Sequence, residues 1–92
     1  MKLPLKIEFV DGTSKKTIAR FADFIQFERT WQRSVSAFER EVKLTDLAWL
    51  AWSAESRSGK TSLKFDPDWV SSVEMVSVDS EDEHEEQPIV PF

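Results

Sequence analysis

Cysteine is absent from the 92 residues, which excludes a disulfide framework and any thiolate metal site. There is a single histidine, His84, and one imidazole within a run of carboxylates does not define a metal centre. No uninterrupted apolar run approaches the ~20 residues that a membrane span needs. The opening "MKLPLKIEFV" is basic but is broken by polar residues, and no small-residue cleavage site follows, so it does not read as a signal peptide. A basic excess is also missing. The net charge is −5, and six carboxylates (Asp79, Glu81, Asp82, Glu83, Glu85 and Glu86) fall in the last fourteen residues, which hold no Lys or Arg. Residues 1–78 carry eleven acidic and twelve basic side chains and are close to neutral. The expectation is one compact domain over residues 1–78 and a disordered acidic tail over 79–92, in a cytoplasmic protein.

Periodicity and turn chemistry predict an α+β fold: a small N-terminal β-hairpin followed by three to four helices. Leu5, Ile7 and Phe9 alternate with Lys6, Glu8 and Val10, the period of a half-buried strand. Asp11-Gly12 is a strong hairpin signal, and the return strand is expected over about 14–19, with Lys15 and Lys16 suited to an exposed edge. "ADFIQFERTWQR" predicts a helix over about 22–33 with Phe21, Phe24, Trp31 and Val35 on one face and Phe27 and Ile25 at its margins. Glu28 falls inside that apolar arc, and a carboxylate there needs a partner or solvent. "SVSAFEREVK" reads either as helix continuation or as a loop anchored by Phe38.

"LTDLAWLAWSAESRSG" predicts a helix with Thr45 as N-cap, a Leu44–Trp49 staple and Gly59 just past its end. "FDPDW" predicts the start of a last helix capped by Asp66, with Pro67 in its first turn and Trp69, Val70, Val73 and Val76 as the buried stripe.

Motifs that carry chemistry are scarce. "SGKTS" lacks the second glycine of a phosphate-binding loop, because Ala54 stands at that position, and the required strand–loop–helix order is reversed. No serine or threonine sits beside an evident base. Glu28 reads as a structural polar residue rather than a catalytic acid. These observations predict no enzyme activity, no cofactor and no metal. The near-neutral body offers no footprint for nucleic acid, although an arrangement in which the tail covers a basic face remains open.

What is abundant is aromatic side chain. Residues 1–78 contain Trp31, Trp49, Trp52 and Trp69 and six phenylalanines. In the helix around Trp49, Leu47, Leu50, Ala51 and Ala54 share one face, while Trp49, Trp52 and Ser56 point nearly the opposite way. Either the tryptophans are buried against a second neighbour, or part of this surface serves a partner. The candidate partner-binding residues are Phe27, Trp31, Trp49, Trp52 and Trp69.

The order "DGT", "FADFIQFERTW", "DLAWLAW", a small-residue and glycine turn, and "FDPDW" resembles the tail assembly chaperones of long-tailed bacteriophages and prophages, over roughly Ile7 to Glu74. "TWQRSVSAF" lacks the glycine expected after the first helix, and Ser53 stands where relatives often carry histidine. The resemblance implies a small non-enzymatic protein of the host bacterial cytoplasm, absent from the mature virion. It would hold the long, apolar, helical tape measure protein soluble until tail tube subunits polymerise around it. It further implies contact with the major tail tube protein, self-association as a homo-oligomer, and a longer form made by frameshifting, which would start near Asp79. Neither nucleic acid nor membrane is an implied partner. The alternative reading is a small regulatory or anti-host adaptor that binds a basic partner through its acidic tail.

Overall fold

The computed structural model describes residues 2–34, 36 and 40–79. Strands β1 (Lys2–Phe9) and β2 (Ser14–Arg20) form the expected hairpin, and helix α1 (Phe21–Trp31) follows directly. Helix α2 (Leu44–Arg57), a single wide helical turn (Phe65–Trp69) and strand β3 (Val73–Val78) complete the order. The sheet is antiparallel with order β2-β1-β3, so the first strand lies in the centre. One face of the sheet carries the helices. Leu5, Ile7 and Ala19 meet Phe24 and Phe27 from α1, Leu47, Trp49, Leu50 and Ala51 from α2, and Trp69 and Val76 in one core. The coarse α+β class and the hairpin are therefore as expected, and the described residues include no helix long and apolar enough to cross a membrane.

The hairpin turn follows from its residues. Gly12 has φ +94°, and the Asp11 carboxylate accepts from the Thr13 backbone N–H at 2.9 Å and from its hydroxyl at 2.6 Å. These bonds hold the Asp11 carboxyl below its ordinary pKa. A Cβ added at Gly12 would meet nothing within 4 Å, so the cost of Gly12→Ala is the left-handed backbone alone. We expect that substitution to lower stability by about 1 kcal/mol in urea denaturation, with no change in the slope of the transition.

The principal correction concerns the segment after Pro67. The sequence pattern predicts a helix there, but only one turn forms, and residues 73–78 are a third strand paired with β1. Asp66 does not cap a helix. Its backbone is extended (φ −129°, ψ 121°), the conformation that a following proline favours. Val73 and Val76 both turn inward although they are three residues apart, which mimics helical spacing. A bulge explains this: Phe9 pairs with Val73 and Glu8 with Met75, leaving Glu74 as the extra residue.

Smaller corrections affect the other helices. Helix α1 ends at Trp31, with Gln32 in the left-handed region (φ 53°). Its buried residues are Phe24 and Phe27, whereas Phe21 (64 %) and Trp31 (39 %) are exposed. Thr45 is not the cap of α2. Lys43 holds that position, and its N–H donates to the Asp46 carboxylate at 3.3 Å. Leu44 is 70 % exposed and does not staple onto Trp49. The C-terminus of α2 does form as expected: the Gly59 N–H donates to Ser56 O and the Lys60 N–H to Glu55 O, closing a Schellman motif around Gly59 (φ +78°). Val35 and Phe38 lie outside the described residues, as does the proposed tail beyond Asp79.

Candidate partner-binding surface

The two faces of α2 have different neighbours. Leu47, Leu50 and Ala51 belong to the core beneath the sheet. On the other side the aromatic rings form a continuous run. Phe27 of α1 lies 6.2 Å from Trp49, Trp49 lies 5.9 Å from Trp52, Trp52 lies 5.8 Å from Phe65, and Phe65 stacks on Trp69 at 6.3 Å, all between ring centroids. Tilted and offset rings at these separations match the preferred geometry of aromatic pairs. The Trp52 indole N–H donates to the Leu63 carbonyl at 2.9 Å, tying α2 to the loop that follows it.

The five aromatic residues singled out in the sequence are thus not one exposed patch. Phe27, Trp49 and Trp69 are buried within the chain, Trp52 is half-buried, and Trp31 alone is exposed. This corrects their grouping as a partner surface, because rings already packed against one another cannot also present their faces to a partner. Glu28 is half-buried, and its backbone carbonyl accepts the Gln32 N–H.

Three carboxylates that sequence reasoning passed over are buried instead. Asp23, fully buried, accepts from the Ser53 hydroxyl at 2.7 Å, Arg57 Nε at 3.1 Å and Nη2 at 2.9 Å, and the Arg20 N–H at 2.8 Å. Burial pushes its carboxyl up, but the hydrogen bonds from Arg57, the Arg20 N–H and Ser53, with the Arg57 charge, outweigh burial and hold it below its ordinary value. Asp46 receives Arg33 Nη1 at 2.8 Å on both oxygens. Glu55 receives Lys15 Nζ at 2.6 Å, while its Oε2 is buried with no partner. The signal for these sites was available only in part: Asp23 and Asp46 each sit three residues past a helix cap, but Arg33, Ser53 and Arg57 reach them from distant positions.

The exposed apolar side chains gather elsewhere, where the start of α2, the helical turn and β3 meet. Leu44, Ala48 and Val70 line two adjoining cavities of about 140 and 300 Å³. Trp69, Val73, Met75 and Val76 close the first and Phe65 the second. Leu44, Val70 (39 %) and Met75 (46 %) leave much of their surface in solvent. The only charged residues lining this groove are Glu74 and Asp66, one at each end. No group of metal-binding side chains occurs among the described residues.

The fold and this groove define a small α+β domain, a three-stranded antiparallel sheet covered on one face by helices. Comparison with protein-family models, with curated proteins and with solved structures finds no match.

Proposed function

We propose that the protein is a non-enzymatic holding protein of the tail assembly chaperone type. In this reading it acts in the bacterial cytoplasm and binds apolar helical segments of a tape measure protein in the groove of Leu44, Ala48, Val70 and Met75. The observation that carries the reading is that groove: large apolar side chains from three elements are left in solvent around one depression instead of being scattered. Its shape suits a helix laid with an apolar stripe inward. Its two charged residues are both acidic, so the matching client helix carries Lys or Arg beside its apolar stripe. The adjacent edge strand β3 supports the same site. The β2 edge carries Lys15 and Lys16, whereas β3 reads Val-Glu-Met-Val-Ser-Val and has no lysine to discourage pairing.

Co-expression with the tape measure protein of the same gene cluster tests the reading. The wild-type chain is expected to render that protein soluble and to co-purify with it. The double substitution Val70→Lys, Met75→Lys changes two exposed positions, so it is expected to remain folded and to lose at least tenfold of the recovered complex. Full recovery with the folded double variant would remove the groove from the account.

A further inference from the structure

The face of the sheet turned away from the helices carries an unusual arrangement of charge. In the β1–β2 register Lys6 stands opposite Lys16 and Lys2 opposite Arg20. These residues alternate with Leu5, Thr17 and Ala19, which are buried against the helices, so all four cations lie on the outer face. Like charges directly opposite one another destabilise a sheet unless something neutralises them. The other end of the same face is acidic, with Glu8 and Glu74 beside the hairpin turn. The chain leaves β3 at the basic end. The Asp79 N–H donates to Pro4 O at 2.9 Å, and its buried carboxylate lies 3.4 Å from Lys16 Nζ. The first carboxylate of the acidic run is therefore already seated on the basic stripe.

We propose that the following acidic segment, Glu81 to Glu86, covers this outer face in the same molecule and neutralises the stripe of Lys2, Lys6, Lys16 and Arg20. Three observations select this occupant over an external polyanion. Charge is complementary: five carboxylates follow Asp79 within seven residues, with no Lys or Arg among them. Reach is sufficient: seven extended residues span roughly 23 Å. Neighbouring strands are only about 5 Å apart and Lys2 lies about 13 Å along the strand from Lys6. The segment is also tethered at the site, which gives it an effective concentration on the order of millimolar. An arrangement of this kind leaves the apolar groove, on other elements, open to a client, and it withdraws the one basic face of the molecule from nucleic acid and anionic surfaces. The proposal does not depend on the client reading.

The absence of cysteine allows a single label. A nitroxide on His84→Cys in the full chain preserves every carboxylate. The amide signals of Lys6, Lys16 and Ile18 are expected to lose more than half their intensity, independently of protein concentration, while those of Ala48 and Trp52 are retained. The effect should vanish at 1 M salt, where screening acts over about 3 Å, and in a Lys6→Gln, Lys16→Gln variant. Even broadening over the whole chain, broadening of the helix side, or persistence in the glutamine variant would overturn the proposal. So would transfer of the effect to unlabelled chains in a mixture, which assigns the face to a second copy. Binding of duplex DNA by the full chain at physiological salt, with recovery of the broadened signals, would assign it to nucleic acid.

Discussion

Trp49→Ala is expected to cost about 3–5 kcal/mol, the usual range for removing a buried aromatic side chain. Trp49 is 6 % exposed and sits between Phe27 and Trp52, so its removal opens a cavity bounded by rings that belong to two helices. A domain of this size has a total stability toward the low end of roughly 5–15 kcal/mol. The loss therefore takes most of it, and the melting temperature should fall by about 15–30 °C. Trp52→Phe gives the contrast. It keeps the ring contacts to Trp49 and Phe65 and removes only the indole donor to Leu63, a loss of about 1 kcal/mol. Thermal unfolding followed by circular dichroism separates the two variants. A folded Trp49→Ala protein with an unchanged melting temperature would contradict the assignment of this ring to the core.

Asp23→Ala should cost about 3 kcal/mol, because it strands donors from three places at once: the start of α1, Ser53 and Arg57. Its effect on pH dependence has a definite sign. A carboxyl whose folded pKa is depressed contributes stability that is fully present above its unfolded value, near 3.8, and is lost as pH falls through the lower folded value. The wild-type protein should thus lose stability below about pH 4 in part through Asp23. Asp23→Asn should be less stable at neutral pH by about 2 kcal/mol and should show a shallower decline in acid. Urea midpoints measured between neutral pH and the acid limb check both statements. A parallel acid limb in the variant would exclude Asp23 as a contributor.

Much of the fold is legible where local chemistry and burial agree. Asp11-Gly12 marks the turn, Leu5 and Ile7 mark the inner face of β1, and Gly59 marks the end of α2. The second face of α2 was legible as a question, and its answer lies in Phe27 and Phe65, which cover Trp49 and Trp52. What failed did so for physical reasons. The bulge at Glu74 places Val73 and Val76 on the same side of a strand, and a spacing of three is also what a helix requires. The exposed Phe21, Trp31 and Leu44 show that an apolar stripe read on a wheel does not identify which neighbour, if any, covers it. The Asp23 site was hidden because its partners lie thirty or more positions away, and no local pattern connects them. The groove was hidden for the same reason, as its walls come from α2, the helical turn and β3.

The measurement closest to the central claim maps the client on the purified complex. Amide signals of the isotopically labelled chain, compared with and without the co-purified tape measure protein, should change most at Leu44, Ala48, Val70 and Met75, and little on the outer sheet face. Changes confined to the exposed surface of α1 around Trp31, with the groove signals unaltered, would contradict the account.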